Sequence, residues 1–124
     1  MSDLDPMAQA DVEKEIRRLS DQLTLQTIGL GDAAMKAAQA DVDYKRQMAR
    51  AWIAHRGHKG TVPEKEAFIH GECEAEYEAM RLTEATHKVM QEKGRNLRAQ
   101  LEALRSINAN VRDHVMHGAT GRGG

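Results

Sequence analysis

The run His55-Arg56-Gly57-His58-Lys59-Gly60 interrupts two long helical patterns, so the chain has to double back on itself there. Ala33–His55 precedes it, and Thr61-Val62-Pro63-Glu64 restarts a helix that is expected to run to about Met116. Thr61 and Glu64 stand three apart, the spacing of a capping box, in which each side chain satisfies a backbone N–H of the other. Pro63 falls in the first turn, where a missing N–H costs nothing. Two helices joined by a short cationic turn form an antiparallel hairpin, and the turn becomes its tip.

Before this hairpin, Val12, Ile16, Leu19 and Leu23 are spaced four, three and four, the apolar stripe of a paired helix. Gly29-Leu30-Gly31 is expected to weaken or break that helix, with Asp32 as a new N-cap. In the next segment Met35, Val42 and Ala49 share a side with Ala38 and Trp52, and its alanines permit close helix approach. The last helix carries Leu97, Leu101, Leu104, Asn108, Val111 and Val115 in strict four–three alternation. That stripe is the expected oligomer interface, with Asn108 as a buried amide that fixes register. Followed backwards, it loses phase near Met80, which a stutter or a bend at Gly94 would explain. The expected fold is therefore all-α: a long-helix hairpin with a shorter N-terminal helix, assembling as a helical oligomer. Residues 1–8 are expected as a flexible start, 9–117 as one helical domain with its turn at 56–61, and 118–124 as a disordered glycine-rich tail.

Oligomerisation also follows from composition. Aromatic residues make up only 3% of the chain, and 124 residues with narrow apolar stripes bury little as a monomer. Copies of the same chain complete such a core.

The net charge of −1 is uninformative, but its distribution is not. Residues 33–60 carry six bases and two acids, whereas residues 61–86 carry seven acids and two bases. Lys45, Arg46, Arg50, Arg56 and Lys59 crowd toward the turn with His55 and His58, a pattern suited to phosphate backbones. Trp52 is expected first as a core residue of the oligomer and second as a stacking platform for unpaired bases. A second basic set, Lys88, Lys93, Arg95, Arg98, Arg105 and Arg112, reads as a solvated outer face. Glu72, Glu74, Glu76 and Glu78 read as pairing with basic helices of a neighbouring copy.

Other chemistries find little footing. His55-x-x-His58, His70-x-x-Cys73 and His114-x-x-His117 have ligand-like spacing but lie in separate segments, so no metal or other cofactor is expected. There is no nucleophile–His–acid arrangement and no phosphate-cradling loop, so no enzyme activity is expected. Cys73 is alone, the acidic N-terminus has no signal core, and no apolar run reaches the length of a membrane span. No membrane partner is expected, and the cytoplasm of a bacterial host is the expected location.

The order of these parts resembles the UvsY-type family of phage recombination mediators. The likeness rests on Lys45–Gly60 with its Arg56-Gly57 turn and on Gln100–Arg112, and small phage proteins whose long helix starts as Thr61–Ala67 does look similar too. It covers roughly residues 30–116. The resemblance implies all-helical, ring-like homo-oligomers that bind single-stranded DNA, help displace single-strand-binding protein and load a RecA-like recombinase. It implies DNA contacts from Lys45, Arg46 and Arg50, continuing to Arg56 and Lys59, with Trp52 as the aromatic near the turn; the charge pattern itself adds His55 to the expected DNA-binding set. It implies binding and handover without nucleotide hydrolysis. The alternative from the residues alone is a structural helical oligomer, a phage assembly or adaptor protein without DNA contact.

Overall fold

The computed structural model describes residues 6–120, with side chains described for residues 8–114. Among them are three helices and no strand: α1 (Pro6–Ala54), α2 (Val62–Glu72) and α3 (Glu74–Thr120). The chain is all-α, as expected. Its helices are divided differently. No separate N-terminal helix exists, because α1 runs unbroken through Gly29-Leu30-Gly31. A glycine inside a helix costs only about 1 kcal/mol relative to alanine, which packing readily offsets. At Gly29 the missing side chain is used: a Cβ there would stand 2.7 Å from the Met90 methyl carbon.

The helix after the turn is interrupted at a point that no proline marks. Cys73 separates α2 from α3, with φ −101° and ψ 11°. Its N–H donates to the carbonyls of Ile69 (3.1 Å) and His70 (3.2 Å), and its own carbonyl accepts from the Tyr77 N–H at 2.9 Å. Glu74 and Glu76 open α3, where negative charge complements the exposed N–H end of the helix. No break occurs at Gly94, which is buried inside α3 beside Gln26. At the far end α3 includes Gly118–Thr120, so helix replaces the first part of the expected loose tail. Likewise α1 begins at Pro6, inside the segment expected as a loose start. Residues 1–5 and 121–124 lie outside the described residues.

Two compact units make up the chain, Met1–Ile28 with Glu92–Gly124, and Gly29–Gln91. In the first, Leu19 packs with Leu97 and Leu101, and Ile16, Leu23 and Leu104 close around them. Arg112 donates to Glu13 at 3.1 Å, so numbering rises along α1 as it falls along α3, an antiparallel pair. Leu97, Leu101, Leu104 and Val111, expected to face a second copy, thus belong to a seam within the chain: Leu97, Leu101 and Val111 are buried there. The four–three spacing was right for a partner helix, and α1 supplies it. Asn108 is half-buried with its Oδ1 accepting no hydrogen bond among the described residues. The side chain of Val115 lies outside the described residues.

The second unit is the hairpin proper. Ala51, Ile69 and Cys73 form its buried core, flanked by Tyr44 and Met48. Burying side chains of this size contributes about 1.5–3 kcal/mol each for the larger ones, and alanine at position 51 lets α2 come close. Tyr44 and Tyr77 meet across the pair with centroids 5.5 Å apart.

Candidate nucleic-acid interface

The tip is shaped by its caps. α1 ends at Ala54, and the His55 and His58 N–H groups return to the carbonyls of Ala51 and His55 at 3.0 Å. α2 begins on the expected capping box: Thr61 Oγ1 accepts from the Glu64 N–H, and Glu64 Oε2 from the Thr61 N–H, each at 3.3 Å. Gly60 makes room for that carboxylate, since a Cβ there would lie 2.8 Å from Glu64 Oε2.

Around this frame Lys45, Arg46, Arg50, Arg56 and Lys59 are all exposed. Arg46 and Arg50 are one helical turn apart and share a side of α1. Lys45 pairs with Asp41 at 2.9 Å, an exposed contact of the kind that contributes little and exchanges easily. Arg46, Arg50, Arg56 and Lys59 have no carboxylate partner among the described residues. Four permanent positive charges therefore stand open to solvent near one end of the hairpin.

Two residues expected in the same set are engaged otherwise. His55 is half-buried, with Nε2 2.9 Å from Glu72 Oε2 and its ring 4.6 Å from that of Phe68. It ties the segment just after α1 to α2. Glu72, expected to bind a neighbouring copy, finds its partner in the same chain. Within the single chain Trp52 is 37% exposed, and Lys65 Nζ stands over its ring at 5.4 Å from the centroid. One face of the indole is thus already taken by a cation–π contact. Lys65 escaped the sequence reading because Glu64 and Glu66 flank it and mask its charge; its position one turn into α2 was the available signal.

Half of the second basic set is paired, whereas Lys93, Arg98 and Arg105 are exposed with no carboxylate partner among the described residues. Lys88 pairs with Glu84, Arg95 with Glu92 and Arg112 with Glu13, as a solvated face would. Cys73 is fully buried, and burial first, then the charges of Glu76 and Glu72, push its thiol above the ordinary range. That disfavours the thiolate a nucleophile or metal ligand requires. Among the described residues no group of three or more His, Cys, Asp or Glu side chains is placed to hold a metal ion. His117 lies outside the residues whose side chains are described. No helix among the described residues is long and apolar enough to cross a membrane. No family model, curated protein or solved structure matches the chain.

Proposed function

We propose that this chain is a single-stranded-DNA-binding recombination mediator, which acts by binding and handover and not by catalysis. One observation carries the reading: Arg46, Arg50, Arg56 and Lys59 are exposed at the end of a rigidly capped hairpin and lack carboxylate partners among the described residues. Guanidinium and ammonium groups that no carboxylate neutralises are suited to phosphate oxygens, and displacing the counterions of the strand drives their binding. Lys45 joins them by exchanging Asp41 for phosphate. Trp52, 37% exposed with Lys65 over its ring, stands beside them as the aromatic available for base contact.

A single copy offers few contacts and holds DNA weakly. In a homo-oligomer, ring-like or otherwise, the contacts of neighbouring copies add through effective concentration. Such an assembly holds a strand firmly yet releases it one subunit at a time. That is the behaviour needed to displace single-strand-binding protein and admit a RecA-like recombinase. A structural helical oligomer with no DNA contact is the second reading, favoured by the exposed apolar residues Met35 and Val42. The assay that separates them is the DNA-dependent ATPase of a RecA-like recombinase on DNA coated with single-strand-binding protein. The wild-type chain should relieve the inhibition, and the Arg46→Ala/Arg50→Ala/Arg56→Ala/Lys59→Ala variant should not. Equal effects of the two, or none from either, leave the architectural reading.

A further inference from the structure

Helix α1 carries a second apolar seam that the chain itself leaves uncovered. In the Gly29–Gln91 unit, one side of α1 buries Ala33 and Ala51 in the hairpin. The other side presents Gly31, Met35, Ala38, Val42, Lys45 and Ala49, spaced four, three, four, three and four. That is the a/d alternation of a coiled coil, on a helix already using its opposite side. Met35 is 73% and Val42 45% exposed, Ala38 and Ala49 are exposed, and a Cβ at Gly31 would meet nothing within 4 Å.

We infer that this seam binds the same seam of a second copy, antiparallel, about a two-fold axis near residue 40. The residues themselves select the occupant and its direction. In antiparallel pairing with a facing d, Val42 of one copy meets Ala38 of the other, Ala49 meets Gly31, and Met35 meets Lys45. Each layer then sets a larger side chain against a smaller or flexible one, as close packing requires. The Lys45 stem lies along Met35 while its ammonium, 2.9 Å from Asp41 in the same chain, stays at the solvent edge of the seam. At the flanks, Asp32 of each copy comes opposite Arg46 of the other, twice by symmetry. Both side chains are exposed, and neither has an ion-pair partner within the chain among the described residues. A parallel pairing would instead stack Lys45 on Lys45 in the seam and small residues on small. A two-fold contact is isologous, so one self-complementary patch suffices.

Of the cations expected to meet DNA, Arg50, Arg56 and Lys59 lie outside the seam, whereas Lys45 and Arg46 belong to both surfaces. With 1.5 Å of rise per residue, the pairing would hold the two Arg50 positions roughly 30 Å apart along the dimer.

Sedimentation velocity at tens-of-micromolar protein tests the inference, with circular dichroism to check helicity. The wild type should sediment with the mass of two chains or a multiple of it. Val42→Glu should halve the mass while keeping its helicity, because position 42 takes no part in the hairpin core. If Val42→Glu loses helix, Met35→Lys tests the same seam from a more exposed position. Arg50→Ala/Arg56→Ala/Lys59→Ala should leave the mass unchanged whether or not it binds DNA. A monomeric wild type, or a folded seam variant with wild-type mass, overturns the inference. Direction is read by oxidative cross-linking in a Cys73→Ser background. Ala38→Cys mixed with Val42→Cys should form a disulfide-linked heterodimer, whereas each alone should not cross-link; cross-linking of either alone overturns the antiparallel register.

Discussion

Ile69 is the residue whose loss should most directly undo the end of the hairpin. It is 0% exposed, held between Ala51 on α1 and Cys73 at the helix junction, with Tyr44 and Met48 beside it. Ile69→Ala removes three carbons, worth about 2.4 kcal/mol at about 0.8 each, and leaves a cavity that helix-borne neighbours fill only in part. A total of about 3–4 kcal/mol is expected, a large share of the 5–15 kcal/mol typical of a folded domain. Urea unfolding followed at 222 nm measures it, as a shift in midpoint at unchanged slope. Amide exchange should localise the damage: protection should fall across 62–77 and 44–55, while the Leu19, Leu97 and Leu101 core of the other unit keeps its protection. A loss below about 1 kcal/mol would refute the packing of α2 on α1, and with it the placement of the cationic turn.

Two further expectations follow from the caps and the buried thiol. Thr61→Ala breaks the capping box and should cost about 1 kcal/mol, with faster amide exchange confined to the start of α2. Because Cys73 titrates higher in the folded chain than in the unfolded one, its contribution to stability is complete below the unfolded thiol value. It should be lost as pH rises from about 8.5 through the folded value, since the unfolded chain then binds fewer protons. A pH series of melting temperatures should therefore fall more steeply for the wild type than for Cys73→Ala in that alkaline window. The folded thiol should also resist a disulfide reagent at neutral pH until denaturant is added.

The hairpin, its turn and the α2 start were legible because they rest on local rules: a capping box, a proline in the first turn and a glycine-broken basic run. The Gly29–Gly31 break was misread because local propensity at a glycine pair is weak beside the packing of a long helix, and Met90 uses the space at Gly29. The junction at Cys73 was not legible, for no proline or capping signal marks it; burial of Ile69 and Cys73 together against Ala51 fixes it. Periodicity showed that Leu97, Leu101 and Leu104 need a partner but not whether that partner belongs to the same chain. Of the cationic set, the exposed positions were readable as charge, whereas the inward turn of His55 toward Glu72 depends on a contact 17 residues away in sequence.

The salt dependence of single-strand binding is the measurement on which the cationic end stands or falls. Each phosphate neutralised on a single strand contributes about −0.7 to the slope of log affinity against log salt, so four cations give about −3 per engaged chain, or roughly 50-fold between 50 and 200 mM. Arg50→Ala/Arg56→Ala removes two of the four. Fluorescence anisotropy with a labelled oligonucleotide should then show the slope cut to about half, whatever the number of copies engaged, because every copy loses the same share. A wild-type slope near zero, or a double variant that keeps the wild-type slope, would contradict the assignment of this surface to DNA.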